Sequence, residues 1–431
     1  MNHSRRAALD ELQGGHGGAT VPGSHRFPLG RSREHRMLPV PGRDRATRGT
    51  CSLVNMSSPS RSVPDGCPGA LSTHRAADGP LARIRLPGGL VLREQMQVLA
   101  EAAAELGDGS LELTSRGNIQ VRAVSDPDEL ANRLAAAGLL PSPTHERVRN
   151  ILASPLSGRV GGLTDVRGLV GELDAAVCAR PELAELPGRT LFALDDGRGD
   201  LCGLEPDFGV YAQADGSFAV LLAGRDTGVR VDREHVVSTL LDCADAFVRL
   251  RNKEWRLAEL DGGAERIVDV LGFQAGPVLA MPAPVEVPPI GWLDQDDGHV
   301  ALGAGLANGV LGARLAEFLA AVDRPLIVTP WRSLIVGDLD EEPAEQVVRV
   351  LAPMGLIFDA ASPWIRVSAC TGSPGCEKSL ADVRADLAAA VDARMTPRDE
   401  RQHWSGCERR CGRPKGEVTD VIATGIGYQV S

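Results

Sequence analysis
The sequence predicts an α+β fold built from two similar halves, on three observations. The order strand, helix, strand, strand occurs over 79–124 and returns over 299–339; the Pro-rich stretch GPVLAMPAPVEVPP (276–289) lies between the copies; and four of the nine cysteines fall in two tight pairs after the second copy. A unit that recurs once at long spacing is a duplication, and two such halves pack around a shared interface, where ligands commonly bind.

Taken in order, residues 1–75 are rich in Arg, Gly, Ser, His and Pro without apolar periodicity, which predicts a disordered N-terminal extension, with Met37 and Met56 as further candidate starts. Order is expected from GPLARIRLPGG (79–89), where Leu81, Ile84 and Leu86 form a strand stopped by Pro87-Gly88-Gly89. Leu92, Met96, Leu99, Ala103 and Leu106 then recur at helical spacing up to Gly107, and SLELTSRGNIQVRAV (110–124) alternates as two strands. In the second copy HVALGAG (299–305) reads as a strand. Val310, Leu311, Leu315, Phe318, Leu319 and Val322 read as one helical face, and RPLIVTPWRSLIVGDL (324–339) as strand, turn and strand. Thr114-Ser115-Arg116 corresponds roughly to Thr329-Pro330-Trp331-Arg332.

A net charge of −11 argues against nucleic acid as a partner, and no apolar run approaches membrane-spanning length, so a soluble, cytoplasmic protein is expected. Lysine is confined to Lys253, Lys378 and Lys415, so any anion site must be made largely of guanidinium groups, which bind carboxylates through paired hydrogen bonds.

Cys370 and Cys376 are spaced C-x5-C in ACTGSPGC (369–376), and Cys407 and Cys411 are spaced C-x3-C in HWSGCERRC (403–411). Disulfides would need an oxidising compartment, for which the odd cysteine count and the absence of a leader pattern give no sign. Zinc is more usually held by C-x2-C pairs in a short, loop-rich module, whereas here Leu380, Val383, Leu387 and Val391 predict a helix between the pairs. Four thiolates surrounded by small residues favour an iron–sulfur cluster.

At this point the chain resembles the nitrite/sulfite reductase superfamily, from about residue 79 to the end. C-x5-C followed by S-G-C-x3-C, a duplicated half with T-x-R, RVRNILASPLSG (147–158) and LPGRTLFALDDG (186–197) carry the resemblance. It implies duplicated ferredoxin-like half domains plus 4Fe-4S α+β domains related by an internal pseudo-two-fold. The half domains are expected at 76–140 and 291–355, a reductase-like domain without cluster cysteines at 141–275, a linker at 276–290 and the cluster domain at 356–431. It also implies that Cys370, Cys376, Cys407 and Cys411 bind a [4Fe-4S] cluster, with Cys411 nearest a tetrapyrrole. Arg116, Arg149 and Arg189 would face that tetrapyrrole, with Asn118, Gln120 and Asn150 as hydrogen-bonding neighbours and Arg83, Arg85, Arg122 and Arg332 as weaker candidates.

One departure matters. Leu191 stands where the reductases carry the second Lys of L-P-R-K-F-K, and a site that reduces a small oxyanion needs several cations around it. Within the superfamily HWSGCERRCGRP, LPGRTLFALDDGRGD, VTPWRSL and CPGALSTHRAADG (67–79) most resemble the precorrin-3B synthases. That resemblance implies precorrin-3A and O2 as substrates, C20 hydroxylation with lactone formation in aerobic cobalamin biosynthesis, a mononuclear non-haem iron whose ligands the sequence does not assign, and an electron donor that is NADH-linked or ferredoxin-like. The alternatives are a sirohaem-dependent sulfite or nitrite reductase and a non-catalytic iron–sulfur or zinc-binding regulator.

Overall fold
The computed structural model describes residues 65–397 and 399–431, so the extension expected over 1–75 lies outside the described residues except for its end. That end departs from the expectation. The amides of Ala70, Leu71 and Ser72 converge on the buried Glu146 carboxylate at 2.6, 2.8 and 3.0 Å, and strand β1 (His74–Ala76) pairs with β2 (Gly79–Ile84). A carboxylate far along the chain satisfies these donors, and no local pattern announces it.

In the first half domain β2 is followed by β3 (Leu90–Val91), helix α1 (Arg93–Leu106), β4 (Ser110–Leu113), β5 (Ile119–Val121) and α2 (Pro127–Ala136). Met96, Leu99, Ala100 and Ala103 make the buried stripe of α1. Gln95 accepts the Leu92 amide at its start, and Asp126 caps α2 by accepting the Glu129 amide. The second half domain, reached after intervening elements, repeats the order with β11 (Gly291–Asp294), β12 (Val300–Ala304), β13 (Val310–Gly312), α6 (Ala313–Ala321), β14 (Leu326–Val328), β15 (Leu334–Leu339) and α7 (Glu341–Leu351).

The halves exchange a strand. β13 joins the first sheet, in the order β1-β2-β5-β4-β13, and β3 joins the second, β11-β12-β15-β14-β3. Val310 and Leu311, expected on a helical face, therefore lie in a strand opposite Glu112 and Leu111. The turns before the two exchanged strands match, with Gly88 (φ 64°) and Gly89 (φ 72°) equivalent to Asn308 (φ 56°) and Gly309 (φ 67°). A Cβ on Gly89 would stand 2.1 Å from the Val328 carbonyl oxygen, so the exchange requires glycine there.

Each half is followed by a sheet of the same pattern. β6 (Ile151–Ala153), β7 (Phe192–Asp195) and β8 (Phe208–Ala212) are parallel, and β9 (Phe218–Leu222) and β10 (Arg225–Val231) continue antiparallel. Helices α3 (Arg167–Ala179), α4 (Val236–Leu250) and α5 (Gly263–Leu271) accompany this sheet, and Phe192, Phe208, Phe218 and Phe247 fill its core. Near-continuous apolar strands suit a parallel sheet covered on its faces. Likewise β16 (Val367–Ala369), β17 (Gln402–Ser405) and β18 (Thr419–Thr424) are parallel and β19 (Gly427–Val430) is antiparallel. Helix α8 (Val383–Asp392) packs Val383, Leu387 and Val391 beneath; Leu380, expected on its face, precedes it and is exposed. Residues 276–289 carry neither helix nor strand.

Candidate functional site
The two cysteine pairs sit at the carboxyl ends of β16 and β17, the end of a parallel sheet where ligands gather. Parallel register sets Ala369 opposite Trp404, the Cys370 amide donates to the Trp404 carbonyl at 2.9 Å, and the Gly406 amide points at Cys370 Sγ at 3.2 Å. A Cβ on Gly406 would lie 1.8 Å from Ser379 Oγ, so only glycine lets these loops close. Burial pushes the Cys411 thiol up, and the neighbouring Cys370, Cys407 and Cys376 push it further. Four thiolates so placed repel one another unless a cationic centre lies among them.

Among the described residues the only three or more potential ligand atoms within 4.8 Å of one another belong to Asp232, Glu234 and His235, all exposed. The four sulfurs are thus spread more widely than the tetrahedral shell of one zinc ion, as a multi-iron cluster allows. His403 lies fully buried beneath Cys411. Its Nε2 is 3.2 Å from the Cys411 carbonyl and its Nδ1 2.9 Å from Ser368 Oγ. A carbonyl can only accept, so Nε2 carries the proton and Nδ1 accepts from Ser368. Burial, then Arg332, pushes this imidazole down to about 4 and keeps it neutral.

Beside the cysteines a cavity of about 250 Å³ is lined by Arg83, Gln120, Arg332, Cys370 and Cys411. A second, of about 260 Å³, adjoins it and is lined by Arg116, Leu191, Trp331, Trp364 and Arg366. Ser115, Asn308, Arg332 and Gly412 line both, so the two form one cleft. Arg83, Arg116, Arg332 and Arg366 pair with no carboxylate among the described residues. Burial, then Arg256, brings the Arg116 guanidinium down to about 10, and burial lowers Arg83 and Arg332 as well. Desolvated cations with no carboxylate in direct contact form an anion receptor.

The expected cleft residues divide. Arg116 and Gln120 line the cleft, and Arg116 donates to the Arg189 carbonyl at 2.7 Å. Arg189 is exposed and lies over the Trp255 ring, 5.0 Å from its centroid. Arg149 is a correction: it is buried, grips Asp174 with two bonds of 2.7 and 2.6 Å, and does not line the cleft. Asn118 and Asn150 are corrections too. Asn118 Nδ2 donates to Asn150 Oδ1 at 3.0 Å, Asn150 donates to the Gly188 carbonyl at 2.9 Å, and both side chains are spent on joining β5 to the following domain. Of the weaker candidates, Arg85 holds the Pro68 carbonyl, and Arg122 pairs with Asp78 while donating to the Gly375 carbonyl beside Cys376.

Arg332 proves central. Thr329 to Ser333 repeats the turn of Thr114 to Asn118, each closed by a 2.9 Å bond from the Thr amide to the last carbonyl. Arg332 (φ 57°) is therefore the counterpart of Gly117 (φ 62°), and Trp331 that of Arg116, one residue off the sequence pairing. Arg256, Arg366, Arg401 and Arg413 also line the cleft and were missed. Arg413 follows the cysteine motif directly, which was the available signal; the others come from irregular segments with none.

The profile of the nitrite/sulfite reductase ferredoxin-like half domain matches residues 74–137. The ferredoxin–nitrite reductase of Synechococcus elongatus is 27% identical over 394 residues, covering 79% of this chain and 75% of that protein. A precorrin-3B synthase of Sinorhizobium sp is 25% identical over 378 residues, covering 84% and 81%. Sulfite reductase [ferredoxin] 2 of Mycolicibacterium paratuberculosis is 26% identical over 411 residues, covering 81% and 72%. The solved structure of the Mycobacterium tuberculosis NirA protein superposes with a TM-score of 0.66 over 81% of this chain and 74% of that one, at 18% identity, which speaks to fold alone. The half-domain match and these relatives show what the chain is similar to along most of its length, nitrite and sulfite reductases and a precorrin-3B synthase, and the solved structure shows a shared α+β fold.

Proposed function
We propose that this protein is a precorrin-3B synthase, which takes an anionic tetrapyrrole, precorrin-3A, as substrate in the cleft beside Cys411 and oxidises it with O2 at C20, with lactone formation. The observation that carries this reading over a reductase is one position of the cleft wall: Leu191 lines it where the reductase pattern has Lys. A small oxyanion would lack a positive group at that point, whereas a large polycarboxylate needs separated guanidiniums around apolar walls. Arg83, Arg116, Arg332 and Arg366 suit its carboxylates, and Trp331, Trp364 and Leu191 suit the faces of the macrocycle.

Cys370, Cys376, Cys407 and Cys411 fit a [4Fe-4S] cluster by their mutual repulsion, their spread and the Gly406 amide aimed at sulfur. Bound there, the cluster would supply electrons one at a time from an external donor, ferredoxin-like or NADH-linked. The expected mononuclear iron finds no such fit: no histidine lines the cleft and the Asp232, Glu234 and His235 group lies exposed outside it. The second reading, a sirohaem-dependent nitrite or sulfite reductase, draws on the relatives that carry those names.

Turnover separates the two. Anaerobically purified protein given precorrin-3A, a chemical reductant and O2 should form the hydroxylated lactone, seen by mass. Reduction of nitrite or sulfite without that product would favour the reductase.

A further inference from the structure
The stretch LDDGRGDLCG (194–203) crowds three carboxylates, Asp195, Asp196 and Asp200, beside a single cation, Arg198. Asp195 and Asp196 are 1% and 0% exposed and Asp200 is 8% exposed. Three buried negative charges beside one positive charge are not tolerated together, so a proton must reside on one of them.

Hydrogen bonding decides which one. Asp195 accepts the amides of Gly197 and Gly199 on Oδ1 and of Leu201 on Oδ2, at 2.9–3.0 Å. Asp196 takes the Arg198 fork through Nε at 2.9 Å and Nη2 at 2.6 Å. Asp200 receives one neutral donor, Ser154 Oγ at 2.7 Å on Oδ1, while Arg198 Nε stands 3.8 Å from its Oδ2. Oδ2 accepts no hydrogen bond among the described residues, and Asp200 is the member of the trio that lines the cleft. The least compensated carboxylate keeps the proton, and here it faces the ligand's space.

We propose that Asp200 stands in the cleft as a carboxylic acid, offering its O–H to the anionic ligand, and that once this proton is lost its charge opposes that ligand. The inference rests on the reading of the cleft as a polycarboxylate site. Burial, then Asp195, pushes the Asp200 carboxyl up to about 7, in agreement with the geometry. Burial also pushes Asp195 up, against its three amide donors, and Cys202 behind the pair rises for the same reason. The other charged or titratable groups lining the cleft are Arg116, Arg256, Glu286, Arg332, Arg366, Arg401, Arg413 and Lys415 in the part that holds Asp200, and Arg83, Glu112, Cys370, Arg384 and Cys411 in the part beside the cysteines. Comparison with Asp200→Asn isolates the change of charge that belongs to Asp200.

Two readouts on the full-length protein and Asp200→Asn test this. In infrared difference spectra the wild type should show a protonated-carboxyl C=O band at pH 6 that disappears through about pH 7 and is missing from Asp200→Asn; a band unchanged in the variant overturns the proposal. Uroporphyrin I, an octacarboxylate macrocycle, serves as the binding probe. Its Kd for the wild type should rise between pH 6 and pH 8 by about threefold or more relative to the Asn variant, which keeps a neutral donor. Equal pH dependence in the two proteins overturns the proposal. Failure of the probe to bind either protein at any pH contradicts the polycarboxylate reading of the cleft instead, and the infrared titration still decides where the proton sits.

Discussion

Arg332 Nη2 donates to the Gly412 carbonyl oxygen at 2.9 Å, fastening the turn of the second half domain to the residue after Cys411. The same guanidinium lines both parts of the cleft and lies in a left-handed conformation whose counterpart in the first half is glycine. Replacing Arg332 with Gly should relieve about 1 kcal/mol of backbone strain while losing one hydrogen bond, so Tm moves little. Binding of a polycarboxylate macrocycle should weaken about tenfold or more, since an unpaired charged fork is removed. Titration calorimetry beside a thermal melt checks both halves; unchanged affinity would remove Arg332 from the receptor.

Arg149 behaves differently because its partner is Asp174, with side chains 5% and 18% exposed. Arg149→Met or Asp174→Asn leaves one buried charge alone and should cost about 3–5 kcal/mol in denaturant unfolding. The folded fraction should bind the macrocycle normally. Lost binding with intact stability would return Arg149 to the cleft.

Gly406→Ala places a Cβ 1.8 Å from Ser379 Oγ and 2.7 Å from Ser379 Cβ. The loops bearing Cys370 and Cys407 must then part, so iron content after reconstitution should fall severalfold. Adding Ser379→Gly should restore part of it. Full iron loading in the single variant would show that the loops need no such close approach.

Asp200 also leaves a mark on stability. Its folded carboxyl sits at about 7, above the usual carboxylate value of 3.8, so the folded state holds an extra proton between these limits. Its contribution to stability is therefore complete below about pH 3.8 and is lost as pH rises through about 7. The stability of Asp200→Asn relative to the wild type should therefore rise by about 1–3 kcal/mol between pH 5 and pH 8, in urea titrations at the two pH values. A stability difference between variant and wild type that stays the same at the two pH values would contradict the buried-acid assignment.

Local chemistry made the duplication and the cysteine pairs legible. Strand alternation at 110–124, the stripe of Met96, Leu99 and Ala103, and the spacing of Cys370, Cys376, Cys407 and Cys411 all lie within short windows. What went unread depends on distant partners. Val310 and Leu311 fit a helical period but become a strand because β4 of the other half supplies their hydrogen bonds. Arg149 sits in a motif that suggests an anion, yet Asp174 on α3 claims it. Asn118 and Asn150 look like ligand donors in sequence and are spent on each other, and Ala70 to Ser72 are fixed by Glu146. In each case a polar side chain is assigned by the tertiary partner nearest to it.

The central claim is that the four cysteines serve an iron–sulfur cluster beside a cleft that takes its tetrapyrrole as substrate. Anaerobic purification with metal analysis, visible spectroscopy and electron paramagnetic resonance of the reduced protein tests it most directly. The account predicts about four iron and four sulfide per chain, a reduced-cluster signal lost in Cys411→Ser, and no extractable haem. Tightly bound sirohaem would contradict the substrate reading, and zinc in place of iron would contradict the cluster itself.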